Sequence, residues 1–107
     1  IKGEKMSKNL INESAYNEIT QQGKVVVQFT ANWCGPCKSI KPLLEGNSST
    51  FGYDYKLVNI EDESEFAKKK GIRSIPFVEI YSGGEKKHEF TGAKTPSQLK
   101  ELFESLF

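Results

Sequence analysis

The run Val25-Val26-Val27-Gln28-Phe29 constrains the fold more strongly than any other segment of this sequence. Its β-branched and aromatic residues favour a strand, and its apolar side chains hardly alternate with polar ones. A strand with two apolar faces needs cover on both of them, which is typical of the interior of a sheet with helices on each face. The run therefore predicts the central strand of an α/β fold.

Other strand-like and helical segments alternate along the chain, separated by Gly, Pro, Asn and Ser. The predicted strands cover residues 6–10, 25–29, 55–60, 77–81 and 86–91. The first predicted helix covers residues 12–22, with Asn12 or Ser14 as the cap and Gly23 as the stop. The second covers residues 34–45, with Gly46 as the stop. The third is a short segment capped by Asp62 or Ser64 and ended by Gly71, and the fourth covers residues 96–106.

Two local signals support the C-terminal half of this assignment. Gly83-Gly84 lies between the last two strands, and glycine readily takes the positive φ angles of a tight hairpin. Thr95-Pro96-Ser97-Gln98 combines a capping-box pattern with proline at the first helical position. The fold class is therefore predicted as α/β, with a central mixed β-sheet flanked by helices on both faces.

Length and charge limit the classes of function. The 107 residues suit one domain, so we predict a single domain over residues 1–107, with residues 1–5 disordered or derived from cloning. The 15 basic and 14 acidic residues give a net charge of +1, which provides no broad field for a phosphate backbone or an anionic membrane. No apolar run approaches the roughly 18 residues that span a bilayer. We therefore expect neither nucleic acid nor a membrane as a partner.

The candidate reactive residues are Cys34 and Cys37, within Trp33-Cys34-Gly35-Pro36-Cys37-Lys38. The central strand ends just before them and a predicted helix begins at them. Cysteines three apart lie on the same side of a first helical turn, so their sulfurs can reach bonding distance. The N–H groups and dipole of a helix N-terminus stabilise a thiolate at Cys34. This predicts Cys34 as the nucleophile and Cys37, one turn further in, as the resolving cysteine.

Three other roles for two cysteines are a structural disulfide, half of a zinc site, and inert core thiols. A disulfide across so short a loop constrains the unfolded chain weakly, so it would stabilise the fold little. Zinc needs about four ligands, and the sequence offers two cysteines and one distant histidine, His88. A redox pair is the preferred interpretation, and we expect no metal.

The hexapeptide from Trp33 to Lys38, after the strand Val25 to Phe29 and before Ile40-Lys41-Pro42, resembles the active site of the thioredoxin family. The order of predicted elements also follows that family, from about Met6 to Phe107. The resemblance implies that the cysteine pair is supported by Trp33, Gly35, Pro36, Lys38 and Gln28.

A second signature, Gly71-Ile72-Arg73-Ser74-Ile75-Pro76, resembles the family segment whose proline is cis and lies against the cysteines. The resemblance implies a cis bond between Ile75 and Pro76, and an exposed backbone that pairs with an extended substrate segment. Gly92 resembles the family glycine on the opposite rim of the site. The implied substrate-binding residues are therefore Trp33, Ile75, Pro76 and Gly92.

Three positions depart from the commoner family pattern, and one of them is Phe77, directly after Pro76, which is bulkier than the residue usually there. Gln28 occupies the strand position where many thioredoxins place a buried aspartate beneath the second cysteine, and Leu57 replaces the lysine that often accompanies it. Losing both together is physically coherent, because a buried lysine without its carboxylate would be an unpaired charge. Gln28 can orient a neighbour but cannot accept the proton of Cys37.

By this resemblance the chain is an enzyme, a thiol-disulfide oxidoreductase that acts as an electron carrier in cell redox homeostasis. It implies protein disulfides as substrates, an NADPH-dependent thioredoxin reductase as electron donor, and no bound cofactor beyond the Cys34–Cys37 disulfide. We expect a cytoplasmic protein. The sequence begins at Ile1 rather than methionine, so an organelle or secretion is the alternative if a leader has been removed.

Two other functions stay open. One is a disulfide oxidant or isomerase of a secretory compartment, although Gly35-Pro36 between the cysteines is typical of reducing thioredoxins rather than of isomerases. The other is a partner-binding subunit with a thioredoxin fold, which would tolerate Cys34→Ser. Two further features have structural interpretations: Lys68-Lys69-Lys70 is expected to be a solvated helix face, and His88 a half-exposed residue that shares a strand face with Phe90.

Overall fold

The computed structural model of the chain describes residues 9–107. The predictions for residues 1–5 and for the strand at 6–8 lie outside the described residues. At the end of that predicted strand, Leu10 forms an isolated parallel bridge to Leu57, and the amide of Leu57 donates to the carbonyl of Asn9 at 2.8 Å. The short segment thus continues the sheet by one bridge.

Helices and strands follow one another in the predicted order. They are helix α1 (Glu13–Ile19), strand β1 (Lys24–Thr30), α2 (Gly35–Phe51), β2 (Asp54–Asn59), α3 (Ser64–Lys70), β3 (Phe77–Ser82), β4 (Glu85–Thr91) and α4 (Pro96–Leu106). The strand order is β2-β1-β3-β4, and β1 pairs in parallel with β2 and antiparallel with β3. The sheet is therefore mixed, and the Val25 to Phe29 run forms one of its two inner strands, as predicted.

Alternate side chains of the sheet enter two separate cores. Val26 of β1 and Ile80 of β3 pack with Ile40 of α2 and Phe103 of α4. On the opposite face, α1 and α3 contribute Tyr16 and Phe66 to a second core that holds the odd-numbered residues of β1. Helices thus cover both faces, which explains why β1 has no polar face. No helix among residues 9–107 is long and apolar enough to cross a membrane.

Helix α2 extends six residues beyond its predicted end. Gly46 lies inside the helix, which continues to Phe51 and ends at Gly52, whose φ of +71° is the left-handed conformation that favours glycine. The prediction of Gly46 as the stop was therefore wrong. An interior glycine costs about 1 kcal/mol relative to alanine, but the ring of Phe51 packs 5.3 Å from that of Phe103. Tertiary packing thus outweighs the local stop signal.

The ends of the two short helices also differ from the predictions. Asn12 caps α1 by accepting the amide of Ala15 at 2.9 Å, but this helix ends at Ile19 rather than at Gln22. Helix α3 follows Glu63, which makes no side-chain cap, so neither Asp62 nor Ser64 plays the predicted role.

The predicted hairpin and the predicted final helix are confirmed. Gly83 and Gly84 join β3 to β4 with positive φ angles. Thr95 and Gln98 form the capping box of α4. His88 is half-buried, with its ring 6.4 Å from that of Phe90.

A buried charged cluster lies on the face covered by α1 and α3. Glu79 of β3 is fully buried, and its carboxylate lies 2.6 Å from the Lys70 ammonium and accepts a hydrogen bond from the Tyr16 hydroxyl. Lys86 approaches the same carboxylate at 3.5 Å. The expectation that Lys68-Lys69-Lys70 forms a solvated face therefore fails for Lys70. The triplet alone does not reveal this, because the partner comes from a distant strand.

Candidate active site

Four chain segments meet at one edge of the sheet. Thr30 at the end of β1 pairs with Asn59 at the end of β2, while Phe77 at the start of β3 pairs with both Phe29 and Thr91. The residues that follow β1, β2 and β4, and those that precede β3, therefore lie at the same edge. This topology brings the two sequence signatures together, although about 40 residues of chain separate them.

The cysteine pair lies where β1 passes into α2. Cys34 and Cys37 form a disulfide, and their side chains are only 3% and 1% exposed. Cys34 is the N-cap of α2, and its sulfur accepts the backbone N–H of Cys37 at 3.2 Å. An acceptor in that position is favoured further when it carries a negative charge. The geometry thus distinguishes the two sulfurs and favours Cys34 as the thiolate.

Trp33 provides an exposed apolar surface beside the pair. It is 65% exposed, and among residues 9–107 it is the one large hydrophobic side chain that is exposed. Its indole N–H donates to the carboxylate of Glu61 at 3.1 Å. Glu61 was not among the residues expected at the site, because its contact with Trp33 joins positions 28 residues apart.

Pro76 lies immediately before β3 at the same edge. Its peptide bond with Ile75 is cis, as the family resemblance implied. The amide of Gly92 donates to the carbonyl of Pro76 at 2.9 Å, which joins the two segments that were expected to bind substrate. Pro76 is buried, while Ile75 is partly exposed.

Gln28 lies directly beneath the second cysteine. The side chain is fully buried, and its amide nitrogen donates to the backbone carbonyl of Cys37 at 3.1 Å. Leu57 is the β2 residue paired with Gln28 and is also buried. Within residues 9–107, the one buried carboxylate is that of Glu79, on the opposite face of the sheet. No described carboxylate is thus buried beside Cys37.

A pocket of about 290 Å³ opens beside Cys37. Most of the surface that faces the pocket is apolar, and two lysines come from the first turns of α2. The lining residues are Leu10, Thr30, Ala31, Asn32, Cys37, Lys38, Lys41, Leu57 and Asn59. Lys38 is exposed, and Lys41 forms an ion pair with Glu45 at 3.6 Å. Among residues 9–107, no three potential metal-ligating side chains lie together.

A family model described as Thioredoxin matches residues 7–105. The chain belongs to the thioredoxin family. Thioredoxins are thiol-disulfide oxidoreductases that need no bound cofactor, and the disulfide between Cys34 and Cys37 matches their active site. The chain is accordingly a thiol-disulfide reductase.

Individual relatives agree with this assignment. Thioredoxin-1 of Schizosaccharomyces pombe is 38% identical over 97 residues, which cover 89% of this chain and 93% of the relative. The chloroplastic thioredoxin M-type of Zea mays is 40% identical over 82 residues, which cover 75% of this chain and 49% of the relative. The solved structure of a Plasmodium falciparum thioredoxin superposes with a TM-score of 0.81 at 32% identity, covering 92% of this chain and 99% of the other.

Two polar residues beside the thioredoxin site were missed. The Tyr55 hydroxyl donates to the side-chain oxygen of Gln28 at 2.6 Å, and the Asn59 side chain accepts the amides of Glu61 and Asp62 at 2.8 and 3.2 Å. Both residues come from β2, whose apolar pattern predicts only a strand. The parallel register of β1 and β2 was the missing information, because it decides which side chains meet.

Proposed function

We propose that the reduced chain transfers two electrons to disulfides of other proteins, with Cys34 as the nucleophile and Cys37 as the resolving cysteine. The observation that carries this assignment is the N-cap position of Cys34, whose sulfur accepts a helix N–H. Both cysteines are buried, but Cys34 caps the N-terminus of α2, whereas Cys37 lies within the first turn of the helix. A bulky target therefore reaches Cys34 first.

The reaction consists of two exchanges. The Cys34 thiolate attacks one sulfur of the target disulfide, so that a Cys34–target bond forms and the other target sulfur leaves as a thiolate. Cys37 then loses its proton and its sulfur attacks that of Cys34. The Cys34–Cys37 bond forms, and the remaining target sulfur leaves, so that the target is reduced and the chain is oxidised.

The proton of Cys37 needs an acceptor other than Gln28, because a carboxamide does not titrate in this range. We propose that it passes to solvent through the pocket that Cys37 lines with Lys38 and Asn59. Trp33, Ile75, Pro76 and Gly92 bind the target segment, and Gly35 and Pro36 shape the turn between the cysteines. Family membership supports an NADPH-dependent thioredoxin reductase as the electron donor.

We also propose the domain organisation of the chain and its cellular compartment. Residues 1–107 form a single domain, and the compartment is the cytoplasm. An organelle or secretion is the alternative, and the chloroplastic relatives favour an organelle. Fractionation of source cells and their medium with an antibody against the chain distinguishes the three.

The assignment of the cysteines is tested by reduction of a protein disulfide, such as those of insulin, with a small thiol as electron source. Cys34→Ser should abolish catalysis, and Cys37→Ser should accumulate a mixed disulfide with the target. Ser39→Ala, an exposed position two residues beyond Cys37, is the matched control and should leave the rate unchanged. Undiminished activity of Cys34→Ser would refute the nucleophile assignment.

Two further measurements separate the alternative functions. A reduction potential of about −270 mV agrees with a reductase, whereas a value above roughly −200 mV would favour an oxidant or isomerase. A biological activity that survives Cys34→Ser would favour a partner-binding subunit.

A further inference from the structure

A chain of two buried hydrogen bonds links β2 to the resolving cysteine. The Tyr55 hydroxyl donates to the Gln28 side-chain oxygen at 2.6 Å, and the Gln28 amide nitrogen donates to the Cys37 carbonyl at 3.1 Å. Building on the proposed role of Cys37, we propose that Tyr55 is a positioning residue for the resolving step. It acts by fixing the side-chain amide of Gln28, which in turn fixes the backbone of Cys37.

The direction of both hydrogen bonds follows from the chemistry of the Cys37 carbonyl. A carbonyl oxygen can only accept, so Gln28 must present its NH₂ group to Cys37. The oxygen of the same amide then faces Tyr55, whose hydroxyl must donate. Burial raises the pKa of Tyr55 above its ordinary value, with smaller contributions from Glu45 and Tyr53, so the hydroxyl keeps its proton at neutral pH. Tyr55 therefore remains a donor throughout the reaction.

The start of α2 has fewer helical hydrogen bonds than a regular helix, because of Pro42. Pro42 lies inside the helix and has no N–H to donate to the carbonyl of Lys38, one turn earlier. The turn that carries Cys37 therefore lacks one helical hydrogen bond beside the reacting sulfur. The side chain of Gln28 adds a hydrogen bond to this turn from β1, an inner strand of the sheet.

Removing the Tyr55 hydroxyl affects the two chemical steps differently. Without it the Gln28 oxygen is buried and unpaired, so the amide turns toward another partner and its bond to Cys37 is weakened. The Cys34 sulfur accepts from the Cys37 N–H, whereas Gln28 holds the Cys37 carbonyl, which belongs to the next peptide group, and has no bond to that N–H or to the sulfur. The first attack should therefore proceed normally, while the intramolecular attack by Cys37 should slow.

The test uses the reduced full chain and dithiobis(nitrobenzoate) in excess, followed by stopped-flow absorbance. Attack by Cys34 releases the first coloured thiolate at a rate proportional to probe concentration, and attack by Cys37 releases the second at a rate independent of it. Tyr55→Phe should leave the first rate within about twofold of wild type. It should slow the second about tenfold, which is less than the ~100-fold that a misplacement of about 1 Å can cause.

Tyr53→Phe is the matched control. Tyr53 is as buried as Tyr55, lies two residues before it, and donates its hydroxyl to the Leu44 carbonyl, also in α2. Its substitution removes an equivalent buried hydrogen bond two turns away from the cysteines, so the second rate should not change. An equal slowing in both variants would show general loosening of α2 and overturn the proposal.

A double variant tests whether Tyr55 acts through Gln28. Gln28→Leu removes the bond to Cys37 and should slow the second release as much as Tyr55→Phe does. Adding Tyr55→Phe to Gln28→Leu should then cause no further slowing, because the tether is already absent. If the double variant slowed the second release by the product of the two single slowings, the proposal would be overturned. Should Tyr55→Phe fail to fold, Gln28→Leu alone decides, since it breaks the same bond.

The outcomes also separate this inference from the proposed function. A release in Cys34→Ser as fast as the first release of wild type would refute the nucleophile assignment, because Cys37 is the one thiol left in that variant. A second release in Tyr55→Phe that is as fast as in wild type, or too fast to separate from the first, would overturn the positioning role and leave the assignment of the cysteines intact.

Discussion

Lys70→Met should destabilise the protein far more than its position in a lysine triplet indicates. The substitution leaves the fully buried Glu79 carboxylate without the ammonium 2.6 Å away. Removing one partner of a buried pair costs about 3 to 5 kcal/mol. Lys70 is 20% exposed, and Tyr16 and Lys86 still contact the carboxylate, so we expect a loss below that range, about 2 to 3 kcal/mol. The melting temperature should fall by about 10 to 20 °C for a domain of this size.

The assay is denaturant unfolding at pH 7 and low salt, followed by circular dichroism, with the free energy of unfolding extrapolated to water. Lys69→Met is the matched control from the same triplet. Lys69 is 64% exposed and pairs with Glu13 on the surface, so its loss should cost between about 0 and 1 kcal/mol. The difference between the two variants isolates the burial of the ion pair.

Glu79→Gln tests whether the unpaired carboxylate is what destabilises Lys70→Met. Glu79→Gln removes the buried charge itself, keeps acceptor and donor groups for Tyr16, and leaves Lys70 able to turn toward water. It should therefore cost less than Lys70→Met. Equal losses for Lys69→Met and Lys70→Met, or a larger loss for Glu79→Gln, would refute the reasoning that a stranded carboxylate dominates.

Three further predictions concern the core and the helix ends. Gln28→Asp places a carboxyl against the Cys37 carbonyl in a fully buried position. The loss in free energy of unfolding should therefore grow as pH rises from about 4, where this carboxyl ionises in the unfolded chain. A loss that does not change with pH would contradict this. Burial raises the pKa of Tyr53 above its usual value near 10, so the free energy of unfolding should fall as pH rises above about 10. Tyr53→Phe should make this fall less steep by about 1.4 kcal/mol per pH unit. An unchanged steepness in alkaline denaturation would argue against it. Gly46→Ala, inside α2 with open space around it, should raise the free energy of unfolding by about 0.5 to 1 kcal/mol, whereas Gly52→Ala at positive φ should lower it by about 1 kcal/mol; effects of the same sign in thermal melts would place the helix end elsewhere.

The family and the reactive pair could be recognised from the sequence alone. Their signals are local: the unalternating run Val25 to Phe29 requires two covered faces, and the spacing of Cys34 and Cys37 requires only one helical turn. The hairpin at Gly83-Gly84 and the capping box at Thr95 are local in the same sense. Each depends on residues within a few positions of one another, so no knowledge of the sheet was needed.

The end of α2 shows where local signals fail. Gly46 carries a stop signal worth about 1 kcal/mol, and the packing of Phe51 against Phe103 from the last helix outweighs it. That contact joins residues about 50 positions apart. A pattern within one segment therefore cannot contain it.

The partners of the buried polar groups were decided only by the tertiary structure. The register between β1 and β2 places Tyr55 within reach of Gln28, and the pairing of β1 with β3 turns Glu79 toward Tyr16 and Lys70. A shift of one residue in either register would direct these side chains to the opposite face. The sequence by itself determined which residues carry the chemistry, because short-range geometry suffices for a cysteine pair at a helix start. Tertiary structure decided what surrounds and holds them, because a buried polar group must find its partner wherever the fold places one.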